Sequence, residues 1–128
     1  MGLTQLNPLL AVSKGASACV AGCFDTVNGA APTVIEGDGF TVARTAEGVW
    51  TVTLNDTPNA IKSIVAWAEL KTADDVGICQ GDIDERAAAA FRIQLWVAPA
   101  PATPVFALAD EPGTRINFIA FLRNTNVS

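Results

Sequence analysis

Thirteen carboxylates, eight Lys and Arg, three cysteines and no histidine define the chemistry open to this chain of 128 residues. Without histidine, Ser-His-Asp catalysis, Cys-His catalysis and any His-bearing metal site are excluded. The one suggestive oxygen cluster is Asp82-Ile83-Asp84-Glu85, which could face a calcium ion. The calcium-loop spacing of Asp-x-Asp-x-Asp-Gly with a later Glu is absent, so a solvated loop is the better reading, and the same holds for Asp74-Asp75. Carboxylates paired for glycoside hydrolysis are recognised by their separation in space, and nothing in the sequence pairs them. Cys19 and Cys23 are too widely spaced for a thioredoxin-type pair, and with distant Cys79 they fall short of the four ligands of a zinc site. Reduced, buried thiols are expected. Trp50, Trp67 and Trp96 could form a stacking surface for sugar, although core or interface use of such residues is commoner. No phosphate-binding Gly-x-x-x-x-Gly-Lys and no nucleophile elbow occurs. The reading is non-enzymatic, with no cofactor and no metal.

Half of the residues are hydrophobic and only 16% are charged, which is the balance of a folded chain with a real core. The net charge of −5 and the lack of any Lys/Arg cluster argue against nucleic acid as a partner. No run approaches the roughly 18 apolar residues of a membrane span. Leu9-Leu10-Ala11-Val12 resembles a secretory core, but no basic residue precedes it and Pro8 and Lys14 interrupt it. The expectation is mature protein made in the cytoplasm.

The elements that must position these residues read as strands. Arg115 to Ser128 is the most strand-like run, ended by the polar Asn124-Thr125-Asn126. Ile116, Phe118, Ala120 and Leu122 fall on one side, and Asn117, Ile119, Phe121 and Arg123 on the other. Both sides are largely apolar, so this strand is expected at the centre of a sheet, covered twice. Phe40 to Arg44 and Val49 to Leu54 flank Thr45-Ala46-Glu47-Gly48 and predict a hairpin, with Trp50, Val52 and Leu54 on one face. Ile61 to Lys71 fits both a helix stripe and a strand; strand is preferred because no N-cap precedes Ile61. Phe91, Ile93, Leu95 and Val97 alternate with Arg92, Gln94 and Trp96. Val105 to Leu108 predicts a short strand. Val27 to Gly39 and Thr72 to Glu85 read as connections, and the proline-rich Ala98 to Pro104 as a connection or an edge.

These patterns predict an all-β single domain, an antiparallel β-sandwich or jelly-roll-like fold. Residues 1–28 form either a first strand with its connection or an extended arm that packs on a neighbouring subunit, and residues 29–128 form the sandwich domain.

Three stretches carry a resemblance. They are Gly48-Val49-Trp50-Thr51-Val52-Thr53-Leu54-Asn55-Asp56, the strand Phe91 to Val97, and the ending Asn117 to Val127, which closes in Arg-Asn-Thr-Asn-Val. The chain from about Gly48 onward resembles small β-rich structural proteins of tailed bacteriophages, the capsid decoration (cement) proteins and their relatives. The first forty residues carry none of it. The resemblance implies a virion protein bound to the outside of the capsid, a homotrimer with the major capsid protein as partner, and no role for nucleic acid or membrane. Its contacts would come from the first segment and from exposed strand residues: Leu3, Leu6, Leu9, Leu10, Val12, Trp67, Trp96 and Phe121. A head-fibre base, tail or baseplate component is a second reading within that class, and a carbohydrate-binding β-sandwich lies outside it.

Overall fold

Alternation of buried and exposed side chains runs through the long strands and builds two sheets. The computed structural model describes residues 17–55, 60–71, 76–85, 88–98 and 105–123. Among these residues nine strands follow in order: β1 (Ser17–Val27), β2 (Ala30–Glu36), β3 (Phe40–Ala46), β4 (Val49–Leu54), β5 (Ala60–Glu69), β6 (Val76–Asp82), β7 (Ala90–Ala98), β8 (Ala107–Leu108) and β9 (Arg115–Arg123). No helix occurs among the described residues.

One sheet has the order β2-β1-β9-β5, and the other β3-β4-β7-β6 with β8 paired to β7. Every pairing is antiparallel. The chain changes sheet after β2, β4, β5 and β8, a jelly-roll-like alternation that makes the two sheets one antiparallel β-sandwich. Arg115–Arg123 lies between β1 and β5, central in its sheet as its apolar pattern requires. Val49–Leu54 forms the expected hairpin with β3 and pairs with β7 on its other side.

The core lies between the sheets. Trp50, Val52 and Leu54 of β4, Phe91, Ile93, Leu95 and Val97 of β7, and Ile116, Phe118, Ala120 and Leu122 of β9 are all buried. Phe118 is central, with its ring centroid 5.0 Å from Phe40 and 5.7 Å from Phe91 in edge-on contacts. Phe24 meets Trp50 at 5.7 Å, joining β1 to β4 across the sandwich. Such tilted pairs are the arrangement that the ring quadrupole favours.

Two expected connections prove to be strands. Val27 to Gly39 contains β2, because Asn28-Gly29 is a tight turn that folds the chain back on β1. The acidic stretch from Thr72 contains β6. Its inner positions Gly77, Cys79 and Gly81 face the β7 core row and are small because β5 packs over them. A Cβ on residue 81 would lie 2.6 Å from Cγ2 of Ile64, and one on residue 77 would lie 3.0 Å from Cδ1 of Leu70. Asp74, Asp75 and the prolines from Pro99 to Pro104 lie outside the described residues.

Candidate functional site

The site is built on the outer face of the β2-β1-β9-β5 sheet. Register fixes which residues share it. Cys19, Ala21, Cys23 and Asp25 of β1 pair with Phe121, Ile119, Asn117 and Arg115 of β9, which pair in turn with Ser63, Val65, Trp67 and Glu69 of β5. The middle of this surface is apolar. Val65 is 48% exposed, Trp67 45% and Phe121 38%, and Ile119 is half-buried between them. Among the described residues the inner row of β9 is sealed and its outer row is half-buried to exposed, so the double covering expected of it is not found there.

A depression of about 350 Å³ opens beside Trp67, bounded by Ala21, Gly22, Cys23, Asn117 and Ile119. Its rim is polar at one end. Arg115 donates to Asp25 from Nε at 2.8 Å and from Nη2 at 3.1 Å, and Asn117 donates to Glu69 at 3.1 Å. The Arg115 hydrogen bonds hold the Asp25 carboxyl below its ordinary range against a smaller opposing effect of burial.

Turns from both sheets are tied by Asp110, which is only 4% exposed. Its Oδ1 accepts the Gly48 N–H at 2.9 Å and its Oδ2 the Gly29 N–H at 3.0 Å. Arg44 adds Nε at 3.1 Å to both oxygens and Nη2 at 3.0 Å. Burial alone would raise the Asp110 carboxyl, but Arg44, Gly48 and Gly29 together outweigh burial and hold it below the usual carboxylate range. Next to it, Thr26 Oγ1 donates to the Glu111 carbonyl at 2.7 Å and accepts the Thr114 N–H at 3.1 Å. The start of β9 is thereby fastened to the end of β1.

The acidic run behaves as a structural cluster. Arg92 reaches Asp82 at 2.7 Å and Asp84 at 2.6 Å through Nη2, beside a shallow depression of about 330 Å³. Among the described residues no group of three or more His, Cys, Asp or Glu side chains could hold a metal ion. Cys19 and Cys23 stand on the same outer face of β1 and are exposed and half-buried, contrary to the expectation of buried thiols. Cys79 points inward, and burial pushes its thiol up to about 12.

The expected interface residues divide three ways. Trp67 and Phe121 come together on the face just described. Trp96 is half-buried on the opposite side of the sandwich, beside Ile78 of β6 and Leu108 of β8. Leu3, Leu6, Leu9, Leu10 and Val12 lie outside the described residues. Trp50 is fully buried, so the three tryptophans form no common stacking surface. The extended reading of Ile61 to Lys71 put Val65 on one face with Trp67, as the register has it, but Ile119 and Asn117 were not foreseen as their neighbours, nor was Asp110. The outward alternation of β9 was the available signal for Ile119 and Asn117. No protein-family model, no curated protein and no solved structure matches this chain.

Proposed function

We propose that this protein is a virion structural component that binds the outside of an assembled capsid and stabilises it without catalysing a reaction. The observation that carries this reading is an apolar surface beyond what the sandwich core hides. On β2, the neighbouring positions Val34 and Ile35 are 43% and 41% exposed, so that strand is wet on both faces. Together with Val65, Trp67 and Phe121 these residues leave several large apolar side chains of one sheet in water, a pattern that marks interaction sites. The resemblance of β4, β7 and β9 to decoration proteins supplies the partner. Binding only to the assembled shell would stabilise that shell by mass action, and repetition over the lattice would add avidity to modest contacts.

The experiment is co-sedimentation of the purified protein with shells assembled from the major capsid protein of the same genome. Saturable binding at a fixed ratio to lattice sites, with a raised shell disassembly temperature, supports the reading. Protein that stays in the supernatant at all concentrations removes it. Density on a tail or at a single vertex would instead assign the head-fibre or tail alternative.

A second reading is favoured by one observation. Trp67 is exposed beside a depression with Asn117 on its wall and Glu69 nearby, a stacking face with polar groups at its edge. Sugar binding there would shift tryptophan fluorescence, and a glycan array without hits removes it.

A further inference from the structure

We infer that Asn28 is a self-modification site, a succinimide-forming Asn-Gly pair, and that Asp110 guards it by holding the Gly29 N–H. This is independent of shell binding.

Asn28 and Gly29 form the exposed turn that joins β1 to β2, with Val27 and Ala30 paired across it. A Cβ built on residue 29 meets nothing within 4 Å, so the turn stands in open space and nothing crowds the Gly29 nitrogen from the side-chain direction. An Asn-Gly pair of this kind can close a ring on itself. The Gly29 nitrogen gives up its proton and attacks Asn28 Cγ. The N–Cγ bond forms, the Cγ–Nδ2 bond breaks, and Nδ2 leaves as ammonia, taking a proton back through water. Water then opens the ring at either carbonyl and leaves aspartate or isoaspartate in place of Asn28. No electron is gained or lost, and water is the only co-reactant.

The fold opposes the first of these steps in two ways. The proton that must leave is the one that Gly29 donates to Asp110 Oδ2 at 3.0 Å. That carboxylate is buried and poorly screened, so an amide anion beside it is disfavoured by like charge. Orientation is the second obstacle. Attack requires the peptide plane between Asn28 and Gly29 to swing its nitrogen toward Cγ, and the hydrogen bond to Asp110 fixes that plane. Asp110 cannot follow the swing, because Oδ1 holds the Gly48 N–H at 2.9 Å and Arg44 spans both oxygens. The chain just ahead of the turn is anchored as well. Thr26 donates its N–H to the Thr114 carbonyl at 2.9 Å and accepts the Gly113 N–H at 2.9 Å. Asp110 is a guard here and not a general base. Arg44, Gly48 and Gly29 keep its carboxyl below the usual range, which makes it a poor acceptor for an amide proton.

Conversion works against the guard. A carboxylate at position 28 adds negative charge next to the Gly29–Asp110 hydrogen bond, and isoaspartate adds a main-chain carbon within the turn. Each change weakens the tie that delayed the reaction.

The test is peptide mapping by mass spectrometry of the full chain during incubation at neutral pH, following the amide-to-acid mass change at Asn28. Wild type should convert far more slowly folded than unfolded in urea. Asp110→Ala, checked by circular dichroism to be folded, should convert about tenfold faster than folded wild type, the loss expected for a hydrogen bond to a charged group. Asp110→Asn, which keeps an acceptor oxygen, should fall between. Leu122→Ala, a core change at the other end of β9, should keep the wild-type rate. Amide exchange at Gly29 in wild type needs no variant and should be as slow as at Gly48. Folded wild type that converts at the unfolded rate would overturn the guard. So would an Asp110→Ala rate equal to or below wild type, a Leu122→Ala rate raised as much as that of Asp110→Ala, or a Gly29 amide that exchanges as freely as in an unfolded chain.

Discussion

Asp110 holds Gly48 by accepting its backbone N–H at 2.9 Å on Oδ1. The same carboxylate takes the N–H of Gly29 and the guanidinium of Arg44, so one side chain joins the β1–β2 turn, β3, the β3–β4 turn and the connection into β9. Turns that ordinarily move independently become one assembly.

Removing the carboxylate should be costly. Asp110→Ala strands two turn N–H groups and the partly buried Arg44, and should lower unfolding free energy by about 3 kcal/mol. Asp110→Asn keeps one acceptor oxygen and should cost less. Urea midpoints for both variants check the order, and an Asn variant as damaged as the Ala variant would contradict the assignment of separate backbone and Arg44 contributions.

The same residue gives the protein an acid limit. The folded-state pKa of Asp110 is depressed, so its contribution is complete above the unfolded carboxylate value of about 3.9 and fades as pH falls through the lower folded value. Asp25, depressed by Arg115, acts in the same direction. The stability gap between wild type and Asp110→Asn should be constant from pH 7 to pH 5 and narrow below pH 4, measured by urea unfolding at each pH. A gap that widens on acidification would reverse the sign of the argument.

Gly48 and Gly29 separate backbone strain from crowding. Both have positive φ, at 70° and 64°. A Cβ on residue 48 would lie 2.5 Å from the Ala109 nitrogen and 2.9 Å from the Leu95 oxygen, whereas one on residue 29 meets nothing within 4 Å. Gly29→Ala should cost about 1 kcal/mol, the strain of a left-handed residue. Gly48→Ala should cost clearly more because backbone atoms must move. Equal losses in thermal or urea unfolding would show that the Gly48 surroundings give way.

Cys79 should be chemically silent in the folded state. Its side chain is half-buried against the core, and that burial pushes its thiol pKa up to about 12, so little thiolate exists at neutral pH. Alkylation mapped by mass spectrometry should leave Cys79 unmodified until urea unfolds the chain. Native-state labelling at the unfolded rate would place Cys79 outside the core.

Much of the fold was legible in the sequence where two-residue alternation is strong. Trp50, Val52 and Leu54, and the row from Phe91 to Val97, announce half-buried strands because one face must leave water. The apolar run of β9 announced a central strand. The two strands missed, β2 and β6, carry turn formers or small residues for reasons of tertiary packing. Pro32 sits in an edge strand, and Gly77 and Gly81 make room for Leu70 and Ile64. The surface around Trp67 was half legible: the outward residues of β9 were identified, but their exposure depends on which elements cover them, a property of topology. Asp110 was not legible at all. In the sequence it is one more polar residue ahead of Pro112-Gly113, and only the fold brings Gly29, Arg44 and Gly48 to its oxygens.

If the exposed apolar surface of this domain serves an assembled shell, reconstruction of shells incubated with the purified protein will show added density repeated over the outer lattice, with β2 or the outer sheet face turned toward a neighbour. Shells that emerge bare at saturating protein, with no added density at any site, would rule that role out.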